Sequence, residues 1–303
     1  MTDSNIRYPQ VRLQDLFPSP IVEATFIDPG YSGHSTDVWR VRTAQETAAV
    51  RISNFTDWSG PFWDGIRWVF GWQPVNERRL IRRNRFLQDK GQLPTPQLLR
   101  AGQVGGLGYY VMEWLPGRRC ESFAELSPQG LRSYGAHLAR LHACTSNRFG
   151  MVGGTRAGPV QAFPIHLQRM LGRLVETHYR GDIEVASRLG EMQQRAIHLQ
   201  VNNCVPILPD LGASQYLRSE EGELCALVDT DAYVYGPPEL DFIILEYEIT
   251  QAQLDPIVEG YRTISALPRL RDVRPLYRYL YRLMEVEGRV PLKTWMQQPE
   301  LFP

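Results

Sequence analysis

Hydrophobic and polar residues alternate with a period of two in three runs near the start of the chain. The runs cover residues 21–28, 37–43 and 47–53, and Gly30 and Gly33 fall between the first two. Alternation of this kind is typical of half-buried strands, and glycine is typical of the turns between them. The pattern therefore predicts a three-stranded antiparallel meander with a glycine-rich first hairpin.

The spacing then changes to that of a helix, which is predicted for residues 76–90 with Leu80, Ile81, Phe86 and Leu87 on its inner side. The basic run within it, "NERRLIRRNR" (76–85), is typical of a solvated helix face. Prolines end the helix, and two further strands are predicted around "GYYVMEWL" (108–115). The Pro116-Gly117 turn that follows marks the predicted boundary between two lobes.

The remainder of the chain has mainly helical spacing. Ser127 is a predicted N-cap with Pro128 at the first helical position, and later helices are predicted for about 160–179, for 182–202 and from 240 onward.

A polar hairpin at 214–231 interrupts these helices. The expected fold is α+β and two-lobed, with a β-rich lobe at 1–115 and a larger, mainly helical lobe at 116–303.

Aromatic residues crowd the segment 54–75, which holds four tryptophans and three phenylalanines. We expect this segment at the entrance of the cleft, where a thin β-lobe cannot bury so many rings. Three interpretations are open: a cluster that packs the next helix onto the sheet, a lid over an apolar or cationic substrate, or a docking surface for a protein partner or a homodimer.

Composition excludes several functional classes. Lysine and arginine balance aspartate and glutamate at a formal net charge of zero, which argues against a nucleic-acid partner bound through bulk positive charge. No apolar run approaches the roughly 18 residues that a membrane span needs. The four cysteines show no paired spacing and no signal peptide is recognisable, so we expect reduced thiols and a cytoplasmic location. The six histidines form no metal-binding spacing, so no zinc site is expected.

Two carboxylates flank the polar hairpin, Asp210 before it and Asp229 after it, so a hairpin would bring them together. Such a pair suits phosphoryl transfer, in which one carboxylate orients the attacking hydroxyl and the other binds Mg²⁺. Asp231 adds a third carboxylate two residues further on, where a second metal contact is expected. Aspartate is also a common turn residue, so each of these positions alone is weak evidence.

The order of these features along the chain resembles the aminoglycoside phosphotransferase-like kinases, which include choline, homoserine, methylthioribose and fructosamine kinases. The resemblance covers roughly residues 21–245, and its most specific parts are "YYVMEWLPG" (109–117), "YGAHLARLHAC" (134–144) and "LVDTDAYVYGPPELDF" (227–242). It implies a two-lobed protein-kinase-like fold and the transfer of phosphate from ATP, or from GTP, to a hydroxyl of a small molecule. The implied acceptor is a metabolite or an aminoglycoside-like antibiotic.

The resemblance also implies a nucleotide site. Arg51 takes the place of the strand lysine that contacts the phosphates, and Glu77 is the candidate for the helix glutamate that pairs with it. Met112 lines the back of the pocket, and the backbone that binds the adenine edge is that of Glu113, Trp114 and Leu115. The backbone that covers the phosphates is that of Gly33, His34, Ser35 and Thr36.

The implied catalytic loop is 207–217 and the implied metal motif is 228–232. Asp210 is the catalytic base by this resemblance, and Gln215, Asp229 and Asp231 are the candidate ligands of Mg²⁺. The family's loop reads roughly His-Gly-Asp-Leu-His-x-x-Asn, whereas this chain has Leu208 and Gly212 for the two histidines and Gln215 for the asparagine.

These departures, with arginine for lysine at Arg51 and Pro237 for an aspartate, leave two hypotheses. The chain is either an active small-molecule kinase with a remodelled site or a pseudokinase that binds a nucleotide, a metabolite or a protein partner. Retention of all three aspartates favours the kinase.

The acceptor pocket is implied in the helical lobe beside the catalytic loop. Four acidic residues in that region are candidates for recognising a cationic acceptor, although as helical residues they are more typical of a solvated helix face: Glu246, Glu248, Asp255 and Glu259.

Overall fold

The computed structural model describes residues 12–28, 36–53, 58–74, 76–104 and 106–303. The predicted turn glycines at 30 and 33, with His34 and Ser35, lie outside the described residues.

A five-stranded antiparallel sheet forms the smaller lobe, in the order β1-β2-β3-β5-β4. Its first three strands are the predicted meander, which pairs β1 with β2 and β2 with β3. Alternate residues of the central strands, such as Val41, Val50 and Val111, are fully buried and form a compact core with a short N-terminal turn. The strands are β1 Ile21–Ile27, β2 Thr36–Thr43, β3 Thr47–Ser53, β4 Leu98–Val104 and β5 Leu107–Glu113.

Nine α-helices are described, and seven of them follow the sheet. Ser127 caps the third helix as predicted, because its hydroxyl accepts a hydrogen bond from the Gly130 N–H at 2.9 Å and Pro128 is the first helical residue. The helices are α1 Pro61–Phe70, α2 Glu77–Gly91, α3 Pro128–His142, α4 Phe163–His178, α5 Ile183–Ile197, α6 Glu239–Glu248, α7 Gln251–Arg262, α8 Arg274–Met284 and α9 Leu292–Met296.

Seven short strands form two small sheets within the helical lobe. The predicted polar hairpin is β10–β11, and it pairs with β6. The second sheet has the order β8-β7-β12-β9, and sequence reasoning missed three of its strands because each has only three or four residues. The bounds are β6 Arg118–Arg119, β7 Arg148–Met151, β8 Arg156–Pro159, β9 Val205–Ile207, β10 Tyr216–Arg218, β11 Leu224–Leu227 and β12 Val234–Gly236.

The aromatic segment is covered by the helical lobe and not by the β-lobe, in line with the expectation that a thin β-lobe cannot bury so many rings. Its helix α1 packs against α4 and α8, and Phe70 and Trp72 are buried in the large core of the helical lobe. Trp58, Phe62, Trp63 and Trp68 are partly buried against the same core. Sequence reasoning missed this because the covering helices are more than 90 residues away along the chain.

The architecture is the α+β, two-lobed arrangement predicted from the sequence, with two separate hydrophobic cores. No described helix combines the length and the apolar content that crossing a bilayer requires. The four cysteines are free thiols.

Candidate active site

Asp210 lies in the loop between β9 and the polar hairpin. Its Oδ1 atom is buried and has no hydrogen-bond partner among the described residues. Burial raises the pKa of Asp210 to about 8, and the nearby negative charge of Asp229 adds to this effect. The hairpin therefore brings the two predicted carboxylates together. A carboxylate with a buried, unpartnered oxygen next to another carboxylate is a costly arrangement, and such groups are concentrated at functional sites.

A buried network anchors the start of this loop. The Leu208 N–H donates to Oδ1 of Asp241 at 2.9 Å, and Oδ2 of the same carboxylate lies 3.1 Å from Nε2 of His142. The second ring nitrogen of His142 lies 2.9 Å from the Tyr261 hydroxyl. The Leu208 side chain is buried in the core, so packing replaces the hydrogen bond that the family histidine would supply.

Gln215 is occupied within the loop itself. Its side-chain amide donates to the Asp210 carbonyl at 2.6 Å, and its Oε1 accepts from the Gly212 N–H at 2.6 Å. The oxygen that was predicted to bind metal thus accepts a hydrogen bond within the loop, and the two hydrogen bonds of Gln215 hold the loop closed. One methylene more than asparagine gives the side chain this reach.

Arg51 and Asp231 form an ion pair in the cleft. Nη2 of Arg51 lies 2.9 Å from Oδ2 of Asp231 and 3.7 Å from Oδ1 of Asp229. Burial alone would lower the pKa of Arg51, but the charges of Asp231 and Asp229 raise it above its usual value. The carbonyl of Asp231 accepts a hydrogen bond from the indole N–H of Trp72 at 2.9 Å.

Glu77 does not make the predicted pair with Arg51. It is exposed at the first position of α2, whereas the residue of α2 that reaches the cleft is Arg83. Nη2 of Arg83 lies 2.6 Å from Oδ1 of Asp231. Burial lowers the pKa of Arg83, although Asp231 opposes the effect. The pKa of Asp231 is also lowered. Burial alone would raise it, but the charges of Arg51 and Arg83 outweigh burial and hold the pKa of Asp231 below its usual value.

The predicted nucleotide-base site lies where β5 leaves the sheet. Met112 is buried, and the Glu113 N–H donates to the Gln97 carbonyl at 2.9 Å. The Leu115 N–H donates to no other described group, so it is available to a purine edge. Trp114 lies under the guanidinium of Arg40, with 5.2 Å between the guanidinium carbon and the ring centroid. Thr36, the one predicted phosphate-covering residue that is described, begins β2.

Two glutamates face the catalytic loop from the helical lobe. The Ala213 N–H hydrogen bonds to Glu248, and burial raises the pKa of this carboxyl. Burial also raises the pKa of Glu287 to about 8, with further contributions from the adjacent Glu248 and from Asp210. Glu287 was missed from the sequence because it follows α8, far from any motif.

The other three acidic candidates for the acceptor pocket are placed differently. Glu246 is buried and paired with Arg274 and Arg278, Glu259 pairs with Arg132, and Asp255 is exposed.

The carboxylates of this cleft fit Mg²⁺ bound together with a nucleotide. No group of three or more potential ligand side chains is present among the described residues. Mg²⁺ in phosphoryl-transfer sites needs only one or two carboxylates, because phosphates and water supply the other oxygens. Asp229, which is half exposed, supplies one such carboxylate.

Comparison with known proteins places the chain among phosphotransferases. The model of a family described as the phosphotransferase enzyme family matches residues 29–276. The macrolide 2'-phosphotransferase of Brachybacterium faecium is 16% identical, over 91% of this chain and 93% of that chain, with a TM-score of 0.54. No curated protein matches the chain in sequence.

Two further solved structures are similar to it. Spectinomycin phosphotransferase, in complex with ADP and spectinomycin, is 11% identical over 91% of this chain and 86% of that chain, with a TM-score of 0.55. The GDP complex of aminoglycoside 2'-phosphotransferase-IIIa is 13% identical over 90% of this chain and 87% of that chain, with a TM-score of 0.58. At these identities the likeness establishes the fold alone, which is the two-lobed protein-kinase-like fold.

Proposed function

The chain belongs to the phosphotransferase enzyme family, and on that premise we propose that it transfers the γ-phosphate of ATP or GTP to a hydroxyl of a small molecule in a Mg²⁺-dependent reaction. The observation that carries this proposal is the carboxylate of Asp210, which has one buried oxygen without a partner among the described residues and has Asp229 beside it. Retaining an unpaired acid at this position lowers stability, which is understandable if the acid has a chemical role.

Each residue has a separate task in this mechanism. Asp210 accepts a hydrogen bond from the acceptor hydroxyl, orients it for in-line attack and takes its proton. Arg51 faces the phosphates, and the free Leu115 N–H binds the purine edge. Asp229 holds Mg²⁺, which when bound neutralises the charge of the phosphates.

The acceptor that best fits the helical side of the cleft carries an amine. Glu248 and Glu287 are adjacent acids near Asp210, and burial is the first cause of the raised pKa of each. An ammonium group bound between them would stabilise their ionised forms. An amine-bearing polyol should therefore have a lower KM than its neutral analogue, and Glu287→Gln should remove this difference. Equal KM values for the two acceptors in the wild-type protein would contradict the assignment of Glu248 and Glu287 to an amine site.

Nucleotide binding is tested by thermal unfolding with ATP, GTP and ADP, each with and without Mg²⁺, followed by a nucleotide-hydrolysis assay with candidate acceptors. A ligand at about 100 times its Kd raises the free energy of unfolding by about 2.7 kcal/mol. Absence of a shift with every nucleotide would rule out the proposal. A shift that is independent of Mg²⁺, without turnover, would identify a nucleotide-binding pseudokinase.

Asp210→Asn tests the catalytic role directly. We expect this variant to lose turnover by at least about a thousandfold while nucleotide affinity stays nearly unchanged. Its Tm should not fall, because the neutral amide replaces an acid whose ionisation is disfavoured by burial and by the charge of Asp229. Retained turnover would show that another residue is the base.

A further inference from the structure

Arg83 is a buried charge on a helix whose sequence reads as a solvated basic face. Its side chain is 1% exposed, and it shares a buried face of α2 with Leu80 and Leu87. A buried guanidinium is stable only where charged and polar partners replace its hydration. The partners of Arg83 therefore indicate what this position does.

Among the described residues, the hydrogen-bond partners of the Arg83 side chain all belong to the metal motif. Nη2 of Arg83 lies 2.6 Å from Oδ1 of Asp231, Nη1 donates to the Asp231 carbonyl at 3.2 Å, and Nε donates to the Thr230 hydroxyl at 3.3 Å. The Thr230 hydroxyl in turn donates to Oδ1 of Asn84 at 2.7 Å. Two consecutive residues of α2 thus attach the helix to two consecutive residues of the motif.

The β7–β8 turn packs closely against the same point of α2. Gly153 in this turn has φ +70°, and a Cβ at this position would lie 2.9 Å from the backbone nitrogen of Arg83. The turn and the helix are therefore in close contact at Arg83.

The carboxylate of Asp231 is occupied on both sides. Oδ1 faces Arg83, and Oδ2 lies 2.9 Å from Nη2 of Arg51. Two guanidinium groups repel a divalent cation at this carboxylate and use the oxygens that would bind it. Asp229 is half exposed, and its nearest arginine contact is at 3.7 Å.

We propose that Arg83 is a positioning residue that fixes Arg51 through Asp231, and that Asp231 is the shared counter-ion of these two arginines and not a metal ligand. The inference rests on the proposed function, since the group that Arg51 is positioned to meet is the nucleotide phosphate. In a lysine–glutamate pair the helix supplies the acid, whereas here the helix supplies a second cation and the metal motif supplies the acid. The resulting triad carries a net charge of +1, which favours the phosphates.

The energetic coupling between Arg51, Arg83 and Asp231 is measured first, without any ligand. Arg83→Met, Arg51→Met and the double variant are compared by urea unfolding, in the wild-type and Asp231→Asn backgrounds. We expect each arginine substitution to lower stability in the wild-type background and to have a clearly smaller effect once Asp231 is neutral. Effects that simply add would overturn the triad.

Nucleotide affinity is then measured by calorimetry with and without Mg²⁺. Arg83→Met and Asp231→Asn should each weaken binding about ten- to a hundredfold, as expected for loss of charge-assisted hydrogen bonds around Arg51. Arg83→Lys should restore part of the affinity. The gain in affinity from Mg²⁺ should survive in Asp231→Asn and disappear in Asp229→Asn.

The outcomes separate the two proposals. Loss of the Mg²⁺ gain in Asp231→Asn to the same extent as in Asp229→Asn would make Asp231 a metal ligand and overturn the inference. A wild-type protein that binds no nucleotide would overturn the proposed function and the positioning role with it, whereas additive stabilities with intact nucleotide binding would overturn the triad alone. Arg132→Met is the matched control, because it removes an exposed ion pair with Glu259 on the helical lobe and should change neither readout.

Discussion

Gln215 illustrates at the scale of one residue how a substitution within a motif changes its role. The amide is buried and bridges the Asp210 carbonyl and the Gly212 N–H, so it stabilises the loop that carries the Asp210 carboxylate. Asparagine is one methylene shorter and cannot span both groups from the same backbone position. The residue that restores the family pattern should therefore damage this protein.

Gln215→Asn is expected to lower the free energy of unfolding by about 1–3 kcal/mol, because it leaves buried polar groups of the loop unpaired. Turnover should fall with it, since Asp210 is no longer held in place. Urea unfolding and steady-state kinetics measure the two effects. Gln193→Asn is the control, because within the described part of the chain Gln193 makes one side-chain hydrogen bond, to the Gln168 carbonyl on α4, and the change should affect stability little. Higher Mg²⁺-dependent activity in Gln215→Asn would instead identify this position as a metal ligand.

At the scale of elements, α1 is the part of the aromatic segment that was hardest to foresee. Gly65 faces α8 so closely that a Cβ would lie 2.4 Å from Cγ of Met284. This contact, with the hydrogen bond between His178 and Asp64 at 3.0 Å, joins α1 to the helical lobe. The segment is therefore part of the helical core, and its rings contribute to stability.

Gly65→Ala should lower the free energy of unfolding by about 1–3 kcal/mol, since the added methyl overpacks the α1–α8 contact. The matched control is Gly190→Ala in α5, where a Cβ would meet nothing within 4 Å. That change should raise stability by about 0.5–1 kcal/mol, because glycine is a poor helix former. Denaturant unfolding distinguishes the two, and equal stabilisation by both changes would contradict close packing of α1.

At the scale of the whole molecule, the parts predicted from the sequence are those with local signals. Strand alternation predicted β1 to β3, a serine–proline pair predicted the start of α3, and the hairpin pattern predicted that Asp210 and Asp229 lie near each other. The missed parts depend on contacts between distant residues. Arg83 had one usable signal, since it lies three residues after Leu80 and four before Leu87 on the apolar stripe of α2. The two hydrogen bonds of Gln215 within its loop had no such sequence signal, because they depend on the path of the loop.

The free energy of unfolding at acidic pH should depend on the packing of α3 against the end of α2. Nδ1 of His137 lies 2.9 Å from the Gly91 carbonyl, and its Nε2 is buried without a partner among the described residues. Burial lowers the pKa of His137 to about 4, and Arg140 and His142 of the same helix lower it further against the opposing bond to Gly91. The ring therefore stays neutral in the folded protein under mildly acidic conditions.

The unfolded chain takes up a proton at His137 near pH 6.5, whereas the folded protein does so only near pH 4. The free energy of unfolding should therefore fall as the pH falls through this window, by up to about 3 kcal/mol from this residue. The stabilisation is complete above pH 6.5. In His137→Gln this part of the pH dependence should be absent when urea unfolding is measured between pH 4 and pH 8. An unchanged slope would show that His137 is not buried in its neutral form.

The hydrogen bond between Trp72 and the carbonyl of Asp231 has an optical consequence. The Trp72 ring is 1% exposed and lies 4.7 Å from Trp63 and 5.5 Å from Trp58 between ring centroids, so these three indoles are close enough to exchange excitation energy. A change in the backbone at Asp231 alters the polarity around the buried indole and hence its emission. The protein thus carries a natural fluorophore next to Asp231. Stopped-flow tryptophan emission would therefore report the proposed nucleotide binding in real time without any attached label.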